Sequence, residues 1–217
     1  MRFADREAAG RLLADVLSPL KAAQPVVLAL PRGGVAVAAP IARALAAPLD
    51  VVLVRKIGAP GHQELAIGAI VDGEAPELVL DPERVAAMHV GAGYIEKAQH
   101  AALREIERRR AVYTAGRPRA EVAGRTAIVV DDGVATGATV LAALRAVRRR
   151  GPARLVLAAP VAPPDVAARL RAEVDEAVFL DTPADFYAVG QFYDAFPQLE
   201  DDEVIALLRN APAPPGA

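Results

Sequence analysis

The chain of 217 residues contains no cysteine, and it contains three histidines. Without cysteine, a disulfide framework, a thiolate metal site and a cysteine nucleophile are excluded. The histidines lie far apart, at His62, His89 and His100, so they suggest no cluster of metal ligands. We therefore expect no metal held by a dedicated set of protein side chains.

The chain also lacks a strong excess of charge of either sign. It has 25 Lys and Arg against 27 Asp and Glu, a formal net charge of -2. A nucleic-acid-binding protein normally shows a basic balance, so nucleic acid is not expected as a partner. No segment is long and apolar enough to cross a membrane, and the N-terminus lacks the layout of a signal peptide. We expect a cytoplasmic protein without a membrane partner.

An apolar run from Ile128 to Val130 ends abruptly in two acids, Asp131 and Asp132. Such a run is typical of a buried parallel strand, which would carry the acids to the carboxyl edge of a sheet. Ligands of open α/β sheets bind at that edge. Two carboxylates would repel a phosphate, so we expect them to accept hydrogen bonds from neutral hydroxyl groups, such as the cis-diol of a ribose.

Small and hydroxylated residues follow the acids and lead into a helical segment from Val140 to Arg149. A turn of this kind that opens a helix can bind phosphate through its backbone N–H groups, and threonine hydroxyls can add donors. The candidate phosphate-binding residues are Ala135, Thr136, Gly137, Ala138 and Thr139.

At residues 128–139 the chain resembles the type I phosphoribosyltransferases. Their signature is an apolar strand, two adjacent acids, three residues and then Thr-Gly-x-Thr or Thr-Gly-x-Ser, and every position is filled here. The resemblance implies that Asp131 and Asp132 hold the ribose hydroxyls of phosphoribosyl pyrophosphate, and that residues 135–139 hold its 5-phosphate. The alternative is a strand, turn and helix without this function, because short motifs occur by chance.

A second apolar run, Val26 to Leu30, is followed by Pro31, Arg32, Gly33 and Gly34. The glycines permit a close approach that a Cβ atom would block, and arginine offers a fork of donors for phosphate oxygens. This turn resembles the pyrophosphate loop of the same family, which implies a cis peptide bond between Pro31 and Arg32. A tight turn with a surface arginine is the alternative.

A third strand is predicted from Asp50 to Val54, and the basic residues Arg55 and Lys56 follow it. Arg55 is a candidate substrate contact, and by the resemblance Lys56 is a candidate catalytic residue that contacts the pyrophosphate, as is Arg32. The resemblance also implies a mobile loop after them that closes over the reaction centre. In this loop Glu64 is a candidate contact of the nucleophile or simply a solvated acid, and His62 is expected at the surface.

The acceptor is the least constrained part of the prediction. Ala135 stands where relatives that act on 6-oxopurines commonly have Asp, so guanine and hypoxanthine are disfavoured. Five of the nine aromatic residues lie between Phe186 and Phe196. We expect one of them, with Tyr187 as the candidate, to stack on a planar acceptor. A small satellite core or a dimer contact is the alternative for each ring.

The fold class expected is α/β, a doubly wound, mostly parallel sheet flanked by helices as in the type I phosphoribosyltransferases, with a small variable hood. Residues 1–210 would form one domain with its core at about 24–180. The hood would come from residues 181–210, with a contribution from 1–23. The proline-rich tail, residues 211–217, is predicted to be disordered.

The resemblance implies a phosphoribosyltransferase, that is, a pentosyl-transferring glycosyltransferase. It would move the phosphoribosyl group of phosphoribosyl pyrophosphate to a nitrogenous base or a related nitrogen nucleophile and release pyrophosphate. Magnesium would be the cofactor, and a homodimer the assembly. The alternative is a regulatory protein of the same fold that binds phosphoribosyl pyrophosphate or a nucleotide without transferring it.

Overall fold

The computed structural model describes residues 1–73, 76–114 and 116–214, without the side chains of residues 63 and 64. The strands are β1 (Val26–Ala29), β2 (Leu49–Val51), β3 (Val54–Ala59), β4 (His62–Val71), β5 (Glu77–Leu80), β6 (Thr126–Val130), β7 (Arg154–Val161) and β8 (Glu176–Asp181). The α-helices are α1 (Arg6–Leu17), α2 (Gly33–Leu45), α3 (Pro82–Ala87), α4 (Ala92–Thr114), α5 (Ala138–Arg149), α6 (Pro164–Arg171) and α7 (Asp201–Arg209).

The central sheet is parallel and has the order β2-β1-β6-β7-β8. Side chains alternate between its faces. In β1, Val27 and Ala29 pack in the core on the side of α2, whereas Val26 and Leu28 pack on the side of α5. Helices therefore cover both faces, and the predicted doubly wound fold is confirmed.

Strands β1 and β6 are neighbours in this sheet, although almost 100 residues of sequence separate them. Ala29 lies opposite Val130, and the Leu30 N–H donates to the Val130 carbonyl oxygen at 2.9 Å. Parallel strands end at the same edge. The residues after Leu30 and those after Val130 consequently meet above the sheet.

A second sheet is antiparallel and has the order β3-β4-β5. The single strand predicted from Asp50 to Val54 is wrong, because β2 ends at Val51 in the central sheet and β3 begins at Val54 in the second. The Asp72 carboxylate fixes this change of sheet by accepting a hydrogen bond from the Leu53 N–H at 2.8 Å. The residues expected to form a mobile loop make a β-hairpin that turns at Gly61.

The two ends of the described chain pack on the central domain. Asp5 caps α1 by accepting from the Ala8 N–H at 2.7 Å. Phe3 exchanges backbone hydrogen bonds with the segment at Phe192 and Asp194, both at 2.8 Å. The N-terminal and C-terminal segments assigned to a hood are thus in contact with each other.

The predicted disordered tail differs from the structure over residues 211–214. The Pro212 carbonyl oxygen accepts a hydrogen bond from the Leu49 N–H at 3.0 Å, and Ala211 is buried. This bond extends the backbone contacts of β2, which is an edge strand. Residues 215–217 lie outside the described part of the chain. Across the described residues, no helix is long and apolar enough to span a bilayer.

A buried cluster of charges joins the two sheets. Arg110 of α4 donates to both carboxylate oxygens of Asp50 at 3.0 and 2.9 Å, and to Asp72 at 2.8 Å. Arg119 adds a second donor to Asp72 at 2.8 Å. Asp50 lies in β2, just before the chain leaves the central sheet, and Asp72 directly follows β4 of the second sheet. Arg110 therefore holds the second sheet against the first.

We predict that Arg110→Met lowers the free energy of unfolding by about 3–5 kcal/mol, because it leaves two buried carboxylates without their shared partner. Arg108→Met is the matched control on the same helix. Arg108 is exposed and pairs with Glu105 within one turn, so its loss should cost less than about 1 kcal/mol. Urea unfolding at pH 7 measures both, and equal effects would contradict the role of Arg110.

Candidate functional site

The two acids stand at the carboxyl end of β6, as predicted. The Asp131 N–H donates to the Ala158 carbonyl oxygen of β7 at 3.3 Å, which extends the sheet pairing by one residue. The Asp131 carboxylate turns back and accepts from the Asp132 N–H at 2.9 Å. Asp132 is partly exposed, so its carboxylate is accessible at the edge where ligands of this fold bind.

The start of α2 packs directly on these acids. A Cβ atom added to Gly33 would lie 1.8 Å from an Asp132 carboxylate oxygen, and one added to Gly34 would lie 2.7 Å from the Val130 carbonyl oxygen. Any larger residue would displace the acid or the strand. The predicted need for glycine is therefore correct, and the close neighbour that imposes it is the acid pair itself.

The segment after the acids forms an open helix start. Gly137, at φ 76°, is the N-cap of α5, and its carbonyl oxygen accepts from the Leu141 N–H at 2.8 Å. Within the described residues no side chain caps this helix. The N–H groups of its first turn lack intrahelical partners by geometry. Because Ala135, Thr136 and Ala138 are exposed, an anion can reach these donors.

Arg169 lies beside this segment and was not among the predicted site residues. One of its terminal nitrogens donates to the Thr136 carbonyl oxygen, and a Cβ atom at Gly137 would lie 3.0 Å from that nitrogen. The contact brings a cation from α6 to the open start of α5. A lone arginine in a helix far along the sequence carries no local signal for such a role.

The turn after β1 has the predicted cis peptide bond between Pro31 and Arg32. Arg32 precedes α2 as its N-cap residue, and its guanidinium group lies 3.8 Å from Glu200 and 3.9 Å from Asp201 at the start of α7. These separations describe loose ion pairs. The guanidinium of Arg32 thus lies near two acids of the C-terminal segment.

The second sheet carries the remaining basic candidates. Arg55 and Lys56 are exposed and adjacent in β3, so their side chains point to opposite faces of the hairpin. Among the described residues, no hydrogen bond or ion pair joins either one to Asp131 or Asp132. His62 is exposed as expected, at the start of β4, and the Glu64 prediction falls on a side chain outside the described ones.

The aromatic segment divides into packed and exposed rings. Phe192 and Tyr193 are buried with Phe3, and this cluster is the satellite core that was the alternative expectation. Tyr187 instead is 91% exposed. Its loop reaches the site, because a Cβ atom on Gly133 would lie 2.4 Å from the Val189 side chain. The exposed ring of Tyr187 therefore lies on a loop that contacts Gly133, the residue directly after the two acids.

Arg6 is the main residue that the sequence analysis missed. Its Nε atom donates to an Asp132 carboxylate oxygen at 2.7 Å. The signal was present, since Arg6 occupies the apolar stripe of α1 with Ala9, Leu13 and Leu17. A charged residue on the buried face of a helix requires a partner.

A family model described as the phosphoribosyl transferase domain matches residues 6–196. The chain belongs to this family. The matched range holds the acids, both glycine-containing turns and Arg6.

Two curated proteins and one solved structure are similar to almost the whole of this phosphoribosyl transferase domain. Two proteins from Mycobacterium tuberculosis, strains H37Rv and CDC 1551, both named "Putative phosphoribosyl transferase", are 47% identical over 209 residues. The match covers 96% of this chain and 47% of theirs, so the chain spans about half the length of the curated relatives it matches. The solved structure of the protein TT1426 from Thermus thermophilus is 48% identical, with 96% of this chain and 98% of that chain covered and a TM-score of 0.83.

The acid pair of this phosphoribosyl transferase domain is electrostatically strained. Burial of the carboxyl group, and then the neighbouring charge of Asp132, raise the pKa of Asp131 well above its ordinary value. The positive charge of Arg6 acts in the opposite direction on the same pKa. Burial also raises the pKa of the Tyr193 phenol, which keeps it a donor to the Asp132 carbonyl oxygen at 2.6 Å.

We predict that Asp131→Asn stabilises the domain, and that the gain grows as the pH rises above about 4. Aspartate in the unfolded chain ionises near pH 3.9, whereas Asp131 in the folded domain keeps its proton to a higher pH. Between these two pKa values, the ionisation of Asp131 lowers the free energy of unfolding by an amount that grows with the pH. The neutral amide removes this cost. Urea unfolding between pH 4 and 8 measures it.

Asp15→Asn, which removes an exposed acid of α1, is the control. It should change the free energy of unfolding by less than about 0.5 kcal/mol throughout this range. If the stability that Asp131→Asn gains over the native chain is no larger at pH 8 than at pH 4, the expected cost of ionising Asp131 in the folded domain is contradicted.

Proposed function

We propose that this domain binds phosphoribosyl pyrophosphate and transfers its phosphoribosyl group to a nitrogenous base, with release of pyrophosphate. One observation carries the proposal. Two carboxylates and an uncapped helix start lie within one short segment, residues 131–139, at the ligand-binding edge of the sheet. A sugar phosphate presents hydroxyl donors and a phosphate acceptor at a similarly short separation.

The ribose would be held by the acids. Asp131 and Asp132 offer acceptors to the two ribose hydroxyls, and charge-assisted hydrogen bonds of this kind are the strong ones. Hydrogen bonds to a charged carboxylate favour its ionised form. Ribose binding would therefore lower the pKa of Asp131, against the effect of burial, which raises it.

The 5-phosphate would be held at the start of α5. Its donors would be the N–H groups of residues 136–139 together with the hydroxyls of Thr136 and Thr139, at the positive end of the helix dipole. Arg169, which contacts the Thr136 carbonyl oxygen, brings a full positive charge to the same place.

The pyrophosphate would leave towards the turn at Gly33 and Gly34, with Arg32 and Lys56 as its cationic contacts. In the transfer, the bond between ribose C1 and the pyrophosphate oxygen breaks and a bond between C1 and the acceptor nitrogen forms. The pyrophosphate takes the electron pair of the broken bond, and a proton on that nitrogen is released. Groups fixed where the charge develops stabilise this step. Arg55, whose side chain points to the opposite face of the hairpin from Lys56, stays a predicted substrate contact.

Magnesium is the proposed cofactor. The acids offer carboxylate oxygens, which suit a hard cation, and the nearby guanidinium groups would bind the phosphates that carry the cation and not the cation itself. When bound, it would neutralise charge on the pyrophosphate. The residues that hold the phosphates, Arg32 and the 136–139 segment, would hold the cation through them.

The proposed acceptor is planar. Tyr187 is exposed on a loop that touches Gly133, so its ring is available to stack on a base. Ala135 places no carboxylate near the base. A homodimer and a cytoplasmic location stay predictions.

The double variant Asp131→Asn, Asp132→Asn should bind phosphoribosyl pyrophosphate and magnesium about 100-fold or more weakly than the native domain, because two charge-assisted contacts are lost. Calorimetric titration measures the affinity. Native binding should then be followed by pyrophosphate release in the presence of at least one member of a panel of bases.

Glu96→Gln, Glu107→Gln is the matched control, since it removes two negative charges from exposed positions of α4. Its affinity should equal that of the native domain. Unchanged affinity in the aspartate variant would refute the diol contacts. Tight native binding without pyrophosphate release for any base would favour the regulatory alternative.

A further inference from the structure

Helix α1 lies outside the segments that form the proposed donor site, yet it sends one charged side chain into that site. Arg6 is 9% exposed and projects from the same face as the buried Leu13 and Leu17. The next residue along the chain, Glu7, forms an ion pair with the exposed Arg11. Arg6 is therefore separated from the surface charges of its own helix.

Close packing fixes the position of α1. A Cβ atom on Gly10 would lie 2.3 Å from the Val37 carbonyl oxygen of α2, so only glycine lets the two helices approach this closely. Helix α2 starts at Gly33, which touches Asp132. The two helices consequently converge on the same carboxylate.

Three contacts orient the Arg6 guanidinium. Nε donates to Asp132 at 2.7 Å, a terminal nitrogen donates to the Pro197 carbonyl oxygen at 2.8 Å, and the group lies 3.7 Å from the centre of the Phe196 ring. The planar fork of arginine suits two bonds in different directions with an aromatic face against it. A lysine could not reproduce this geometry.

We propose that Arg6 is a positioning residue that holds the Asp132 carboxylate in the orientation needed to accept from the ribose. Arg6 occupies one carboxylate oxygen, Oδ2, and leaves Oδ1 for the ligand. This inference rests on the proposed function. It makes the N-terminal helix part of the donor site, coupled to the C-terminal segment through Phe196 and Pro197.

The charges that face the acid pair support this role. Burial and then the charge of Asp132 raise the pKa of Asp131, and the positive charge of Arg6 of α1 acts against both. Tyr193 faces the pair from the C-terminal segment and donates to the Asp132 carbonyl oxygen. Arg6 is thus the cation that offsets the repulsion between the two carboxylates.

The test is a double-mutant cycle on binding of phosphoribosyl pyrophosphate with magnesium. Arg6→Gln should weaken binding about tenfold, as expected for loss of a hydrogen bond to a charged group. Combined with Asp132→Asn it should weaken binding no further than Asp132→Asn alone, because Arg6 acts through that carboxylate. Full additivity, or unchanged binding in Arg6→Gln, would overturn the proposal.

Arg11→Gln is the control, since it removes an exposed arginine from the same helix, and it should bind like the native chain. If Arg6→Gln does not fold, Arg6→Lys replaces it. Lysine keeps the charge without the two-directional contact, so binding should fall several-fold. Native affinity in Arg6→Lys would overturn the proposal.

A readout without ligand separates this inference from the proposed function. Carbon-13 NMR of the aspartate carboxyl groups follows the titration of Asp131 directly. Arg6→Gln should raise the pKa of Asp131 further, because it removes a positive charge that lowers this pKa, and Arg11→Gln should not. If the native domain fails to bind phosphoribosyl pyrophosphate, the proposed function is wrong, and the titration of Asp131 still decides whether Arg6 controls the charge balance of the acid pair. An unchanged titration in Arg6→Gln would refute that control.

Discussion

The site depends on the contact between Gly33 and Asp132, where the start of α2 lies against the end of β6. A Cβ atom on Gly33 would come within 1.8 Å of the carboxylate, so the approach tolerates no side chain. The contact exists because β1 and β6 are adjacent and parallel, which brings both strand ends to one edge. It places a helix N-terminus beside an acid. The positive end of the helix dipole consequently lies against this carboxylate.

A second constraint keeps the basic hairpin near this edge. The chain leaves the central sheet after Val51, and the Arg110 cluster with Asp50 and Asp72 secures the crossing to the second sheet. Burying these charges is costly unless each is paired, and here each carboxylate accepts at least two hydrogen bonds. The position of Lys56 thus depends on an ion cluster whose members are distant in sequence.

Much of the fold was predictable, because its signals are local. The apolar run before Asp131 and the glycines after Arg32 define strand ends and helix starts from neighbouring residues alone. The crossing after Val51 was missed, since a run of apolar residues does not reveal which sheet each one joins. Arg6 was missed because its partner, Asp132, is 126 residues away. A charge within the buried stripe of a helix was the one available signal.

We propose that the edge between β1 and β6 binds phosphoribosyl pyrophosphate. A crystal structure of the domain with this ligand and magnesium tests it most directly. We expect the ribose hydroxyls within hydrogen-bond distance of Asp131 and Asp132, and the 5-phosphate against the N–H groups of residues 136–139. A ligand whose phosphate lies elsewhere, or whose ribose makes no contact with either acid, would contradict it.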